Sequence, residues 1–231
     1  MAPQGYRRHP VSSAAVRIYT RKGDDGTTGL LYGGRVTKDS PRIELNGAVD
    51  EAQAALGVAR AEAEPGSELD GLLVGLERDL YVLMAEVATA PANRRKLAAG
   101  TTLVTAEMVF ALEARIDDLT GRFEMPAEFV VPGQNRRAAA LDMARTVVRR
   151  AERLLAAGGL LGAVGPGGAG VESYVGPYLN RLSDLVWTMA RWQEGDGHMT
   201  ARPAAEGSMG GDERRGSRGP AGDVEDGGEG R

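Results

Sequence analysis

Residues Ser67 to Thr89, SELDGLLVGLERDLYVLMAEVAT, decide the class of fold. Leu69, Leu72, Leu73, Leu76, Leu80, Leu83 and Val87 recur at steps of three and four. That spacing lines one face of a helix that turns every 3.6 residues. Ser67 is a helix-capping residue type, and Pro91 cannot continue a helix beyond Thr89.

The same period runs outward in both directions. A helix is predicted from Pro41 to Ala63, with Asp39 or Ser40 as cap, Pro41 in the first turn and Pro65-Gly66 as the stop. Its apolar face is Leu45, Val49, Ala52, Leu56 and Ala59. A third helix, Thr105 to Gly121, carries Val109, Leu112, Ile116 and Leu119. The fourth spans Asn135 to Ala157 and ends at Gly158-Gly159, with a stripe read as Ala140, Met143, Val147, Ala151 and Leu154. The fifth spans Gly176 to Gln193, with Pro177 in its first turn and Leu179, Leu182, Val186 and Met189 inward. Small residues on the inner faces permit close helix approach. The expected fold class is all-α, a five-helix bundle. Extended character is expected only at residues 16–32 and in the short piece Glu128–Gly133.

The chain has 231 residues, enough for one good-sized domain. Residues 1–16 are polar and unpatterned, and residues 195–231 are rich in glycine and charge. Both are expected to be disordered tails around a folded domain at 17–194. A net charge of −4 argues against a nucleic-acid partner or a polybasic membrane patch. No stretch approaches the roughly 20 apolar residues of a bilayer span, and MAPQGYRRHPVSSAAV lacks the apolar core of a secretory signal. The absence of cysteine excludes disulfides, thiolate catalysis and cysteine metal sites. The two histidines, His9 and His198, fall in the tails, so histidine chemistry is not expected. A soluble cytoplasmic protein is the expectation.

Upstream of the bundle, IYTRKGDDGTTG (residues 18–29) combines three glycines, three threonines and the adjacent cations Arg21 and Lys22. Converging backbone N–H groups, hydroxyls and cations are the chemistry of an anion cradle. The order is not that of a P-loop, and an ordinary glycine-rich turn is the plainer alternative. Asp24 and Asp25 lack the EF-hand pattern, and no second acidic cluster lies nearby. No metal site of the protein's own is expected; a carboxylate there orders the loop or approaches Mg²⁺ already carried by a nucleotide. GPGGAG at Gly165–Gly170 fits GxGxxG, but it sits between two helices rather than after a strand, and reads as a loop.

On the fourth helix, Arg145, Arg149 and Glu152 fall at i, i+4 and i+7 and share a face. A solvated face with Glu152 paired to Arg149 is the plain reading. Arg145, however, lies in a run of small residues where a cation needs a partner. Asn46 and Asp50 on the first helix, and Asn180, Asp184, Trp187 and Arg191 on the fifth, border buried faces too. Polar residues on three helices suggest a shared internal or intersubunit site.

In order along the chain, IYTRKGDDGTTG, GGRVTKDSPRIELNGAVDEAQAALG, LERDLYVLMAEVAT, FVVPG, ARTVVRRAER and YLNRLSD resemble the PduO-type ATP:cob(I)alamin adenosyltransferases. The resemblance covers residues 17–193. It implies a ferritin-like five-helix bundle with an extended N-terminal nucleotide-binding loop, assembled as a homotrimer with active sites between subunits. It implies transfer of the 5′-deoxyadenosyl group of ATP to cob(I)alamin, with Mg²⁺ on the nucleotide. Thr20, Arg21, Lys22, Gly23, Thr28 and Gly29 would wrap the triphosphate, and Lys38 would add a cation. Arg149, Arg150, Glu152 and Arg153 would contact nucleotide from the adjacent subunit, and Asn180 would help hold it. Arg145 matches an essential arginine paired with the aspartate corresponding to Asp50, and Phe129 matches the aromatic beside the corrin ring. A flavin reductase and an adenosylcobalamin-dependent mutase are the partners implied. Gln134 and the charged Asn135-Arg136-Arg137 depart from the family pattern. The competing reading is a noncatalytic ATP-binding bundle that senses nucleotide or delivers corrinoid to a partner. A third is a structural bundle whose arginines serve subunit contacts.

Overall fold

A computed structural model describes residues 19–160, 173–197 and 199–201. Most of both tails, with both histidines, and the Gly165–Gly170 loop lie outside the described residues. The five helices are α1 (Pro41–Ala61), α2 (Glu68–Val87), α3 (Ala106–Thr120), α4 (Arg136–Ala157) and α5 (Val175–Glu194). Three begin on side-chain caps: Ser67 Oγ accepts from Asp70 N–H, Thr105 Oγ1 from Met108 N–H and Asn135 Oδ1 from Ala138 N–H. Ser40 caps α1 without a side-chain bond, and Pro41 opens it.

Cross-helix bonds give the order of directions. Gln53 donates to the Glu77 carbonyl and Arg60 to Asp70, so α1 and α2 run antiparallel. Arg150 pairs with Glu51, and Gly158 lies against Pro41, so α4 runs antiparallel to α1. Asn180–Glu152 and Arg191–Asp142 set α5 antiparallel to α4. One end of the bundle therefore gathers the start of α1, the end of α2 and the end of α4. The opposite end gathers the start of α4 and the end of α5.

The core runs the length of these helices and includes Leu45, Leu56, Leu73, Leu80, Leu141, Leu179 and Leu182, all fully buried. Each such side chain contributes about 1.5–3 kcal/mol over leaving it in water. On α4 the fully buried side is Ala138, Leu141, Ala144, Val148, Ala151 and Leu155, rotated from the stripe expected from the sequence. Of that stripe, Ala151 is buried and Ala140, Val147 and Leu154 are partly buried against the core. Met143, assigned inward by that stripe, is 64% exposed. The alanines of α4 face a similarly alanine-rich side of α1 (Ala48, Ala52, Ala59), where small residues suit close packing. Asp142 takes a buried position because Arg191 pairs with it.

Before α1, strands β1 (Thr27–Gly29) and β2 (Arg35–Thr37) form an antiparallel hairpin, so extended structure continues past residue 32. It is moored to the end of α2: Leu31 N–H donates to the Ala88 carbonyl at 2.9 Å, and Asn93 Nδ2 to the Tyr32 carbonyl at 3.2 Å. At the opposite end, Val131 N–H donates to Met199 O at 2.8 Å and Ala201 N–H to Phe129 O at 2.6 Å. Met199–Ala201, placed in the tail by the sequence reading, thus lie along the extended piece that carries Phe129. Among the described residues, no helix is long and apolar enough to cross a membrane.

Candidate functional site

The hairpin loop is built as a donor-rich turn. Asp25 Oδ1 accepts from Thr27 N–H at 2.9 Å and from the Thr27 hydroxyl at 2.8 Å. These bonds, the hydroxyl's first, hold the Asp25 carboxyl below its ordinary range, with Arg35 adding to the effect. Arg35 also donates to Thr27 Oγ1 and to the Lys22 carbonyl. Asp25 is therefore committed to ordering the loop. Lys38 N–H donates to the Gly26 carbonyl at 2.9 Å, and the Lys38 side chain passes over Gly23. A Cβ at position 23 would meet Lys38 Nζ at 3.2 Å, so glycine there lets the ammonium sit close above the backbone.

The other loop residues complete a cationic edge. Arg21, at φ 59°, holds its guanidinium over the Tyr19 ring, 5.6 Å from the centroid. Thr20 and Lys22 are exposed, with Thr20 Oγ1 accepting from Lys22 N–H. Thr28 and Gly29 lie in β1, opposite Val36 and Arg35. The structure thus brings Thr20, Arg21, Lys22, Gly23, Thr28, Gly29 and Lys38 into one hairpin.

On α4, Arg149 and Arg153 are exposed, and Arg150 pairs with Glu51. Glu152 accepts from Asn180 Nδ2 at 3.0 Å rather than pairing with Arg149. Asn180 Oδ1 in turn accepts from Arg181. Glu152 and Asn180 are thus joined directly, and Arg149 and Arg153 are exposed on the same helix as Glu152.

At the far end of the bundle a cavity of about 700 Å³ opens. Phe129, Val130, Asp142, Arg145, Trp187 and Arg191 are among its lining residues. Phe129 is 89% exposed on a piece closed by Gly133, whose φ of 117° is ordinary only for glycine. Arg191 is almost fully buried, bonded to Asp142 Oδ2 at 2.6 Å and Glu194 Oε1 at 3.1 Å, with Trp187 5.5 Å beneath it. Arg145 is directed to Asp142, 3.7 Å away, and not to Asp50. Asp50 is exposed on α1, and among the described residues no ion pair joins it to Arg145. The expected pairing is therefore not made within one chain, because Arg145 finds its counter-charge on its own helix.

The sequence reading missed Asp142. The signal was present: a carboxylate three residues before Arg145, on the side of α4 that faces Arg191. The hairpin and the Phe129 cavity stand at opposite ends of the bundle. At 1.5 Å per residue, α4 alone separates its ends by roughly 30 Å.

The all-α bundle thus carries a hairpin with Lys22 and Lys38 at one end and a cavity with Phe129 in its lining at the other. The cobalamin adenosyltransferase family matches over residues 18–193, and the chain belongs to that family. A corrinoid adenosyltransferase of Citrobacter freundii is 39% identical over 178 residues, 77% of this chain and 95% of the relative. The corrinoid adenosyltransferase PduO of Salmonella typhimurium is 36% identical over 184 residues, 78% of this chain, which spans about half (51%) of that longer relative. Among solved structures, a variant PduO-type ATP:corrinoid adenosyltransferase from Lactobacillus reuteri, complexed with cobalamin and ATP, superposes with a TM-score of 0.65. It is 27% identical, covering 77% of this chain and 91% of that one.

Proposed function

We propose that the protein transfers the 5′-deoxyadenosyl group of ATP to the cobalt of cob(I)alamin, giving adenosylcobalamin and triphosphate. The observation that carries this reading is Phe129, a bare aromatic at the lip of a roomy cavity with Arg145 in its wall. An apolar ring held in that way suits the flat face of a corrin. It would also displace the lower axial ligand of a Co(II) corrinoid, leaving cobalt that is easier to reduce.

The electron pair of Co(I) forms a bond to C5′ of ATP as the C5′–O bond breaks, and triphosphate leaves with the bonding pair. No side-chain nucleophile is needed. The protein's part is to align C5′ with cobalt and to meet the charge on the departing triphosphate. Lys38, Arg21 and Lys22 offer cations at the hairpin, and Arg149 and Arg153 offer them on α4. Mg²⁺ would travel on the triphosphate. Among the described residues no group of three acidic or histidine side chains is arranged to hold a metal, and Asp25 already serves Thr27 and Arg35.

The two ligand regions lie too far apart for one chain to join them. We therefore propose a homotrimer in which the hairpin of one subunit faces the α4 arginines and the Phe129 cavity of its neighbour. Exposed Asp50 on α1 is then available to an arginine across the seam. The cytoplasm, with a flavin reductase supplying electrons and an adenosylcobalamin-dependent mutase receiving product, is the proposed setting.

The test is anaerobic incubation with ATP and cob(I)alamin, following loss of the Co(I) absorbance and formation of the light-sensitive alkylcobalamin. Product formation with release of triphosphate is expected. ATP binding without product would replace this reading with the noncatalytic nucleotide-binding bundle. Sedimentation of the chain as a monomer at assay concentration would overturn the intersubunit site.

A further inference from the structure

The carboxylate of Asp142 is buried in the cavity wall, and its residue is 5% exposed. A charge withdrawn from water to that extent needs compensation close by. Its two oxygens meet different arginines. Oδ2 accepts from Arg191 Nη2 at 2.6 Å, and Oδ1 stands 3.7 Å from Arg145 Nε. Arg191 comes from α5 and is held again by Glu194, at 2.9 Å between Nε and Oε2. Its guanidinium stacks over Trp187. That side of the carboxylate is rigid.

The Arg145 side differs. At 3.7 Å the contact attracts charge without making a hydrogen bond, and Arg145 Nε is a buried donor with no hydrogen-bond partner among the described residues. Asp142 thus aims the Arg145 guanidinium along the wall that also carries Phe129, while leaving its donors unspent. A guanidinium fully satisfied by its own chain would have nothing left for a ligand.

We propose that Asp142 is a positioning residue for the corrinoid half of the site: anchored by Arg191, it fixes where Arg145 presents its donors to the rim of the corrinoid seated against Phe129. The inference rests on the adenosyltransferase reading. Among the described residues the ion pairs of Asp142 are with Arg145 and Arg191, and none is with the hairpin, Arg149 or Arg153, so its effect is expected on corrinoid rather than on ATP.

The test uses the full chain with cob(I)alamin and ATP as the varied substrates. Asp142→Asn keeps the shape and removes the charge. Its expected effect is a rise of about tenfold in the KM for cob(I)alamin, the size of one lost charge-assisted contact. The KM for ATP should stay as in the wild type. With cob(II)alamin and ATP bound, the electron paramagnetic resonance signature of four-coordinate cobalt should weaken. On an Arg145→Lys background, Asp142→Asn should add less than it costs alone, because the two act through one contact. An unchanged corrinoid KM, equal rises in both KM values alongside a lowered Tm, or full additivity would overturn the proposal. Should Asp142→Asn not fold, Arg191→Lys reads the same anchor: a selective rise in corrinoid KM supports the proposal, and no change refutes it. An inactive wild type would sink the adenosyltransferase reading instead, which separates the two failures.

Discussion

Glu86, at the end of α2, is wholly buried and accepts a 2.8 Å hydrogen bond from Arg94 Nη2. Its second oxygen accepts from Val104 N–H at 2.7 Å. The pair clamps the segment that runs from α2 past a 3₁₀ turn (Pro91–Lys96) to α3, directly beneath the hairpin's mooring. Removing one partner strands the other charge in the interior, which costs about 3–5 kcal/mol. Glu86→Ala should lower the urea midpoint by a corresponding amount, and a loss below about 1 kcal/mol would show the pair to be solvated.

Arg42 extends the same clamp. From the first turn of α1 its Nη1 donates to the carbonyls of Val87 at 2.5 Å and Thr89 at 3.0 Å, on either side of the Ala88 carbonyl that holds Leu31. Burial, and then the neighbouring Arg94, lower its pKa from the usual arginine value. Arg42→Met should loosen the hairpin and raise the KM for ATP several-fold while the KM for corrinoid stays put. Steady-state kinetics with each substrate varied would show this; equal changes in both would mean a general loss of structure.

The helices were legible because their signals are local. Ser67, Thr105 and Asn135 cap where their residue types suggest, and leucine periodicity marks the inner faces of α1, α2, α3 and α5. The buried charges were not legible. Glu86 follows Leu83 by three positions on an apolar face, and Asp142 replaces an apolar residue on α4. Each is paired with an arginine outside its own helix, Arg94 eight residues on and Arg191 forty-nine residues on. Periodicity misread α4 for that reason, turning Met143 inward. The residues of the hairpin could be named together because they are contiguous. Arg145, Trp187 and Arg191 could be named for a shared site and Phe129 by resemblance. That they line one cavity with Asp142 and Ala201 could not be foreseen, since these residues meet only in the folded chain.

Asp79 gives the protein a pH-dependent element. Burial raises its carboxyl above the ordinary value of 3.8, against the opposing bond from the Tyr178 hydroxyl at 2.9 Å. The folded state then holds a proton that the unfolded chain has released, so stability falls as pH rises from 3.8 through the raised value. Below 3.8 the difference vanishes, and above the window the penalty is complete. Asp79→Asn should remove this slope and gain on the wild type as pH rises, by less than about 1 kcal/mol because the group is only half buried. Urea titrations across the window would measure it, and parallel profiles would refute it.

Arg149 is exposed on α4 and its removal disturbs no core contact. Its proposed duty is to meet negative charge on the triphosphate as C5′–O breaks. Arg149→Ala should lower kcat/KM by about 10²-fold, the scale of one lost transition-state donor. The Tm should remain that of the wild type. A fully active variant would remove Arg149 from the mechanism.

Phe129 separates two stages of the reaction. Its ring is 89% exposed, so truncation removes little packing from the folded chain. In the proposed role it excludes the lower axial ligand, which matters while cobalt is still Co(II) and must accept an electron. Once Co(I) is formed, the metal carries no strong lower ligand, and the ring contributes only surface contact. Phe129→Ala should therefore slow product formation from cob(II)alamin with a reductant far more than from pre-reduced cob(I)alamin. Parallel anaerobic assays from the two starting states measure the ratio directly. Equal losses would leave Phe129 as a simple contact and move the control of reduction to another part of the cavity wall.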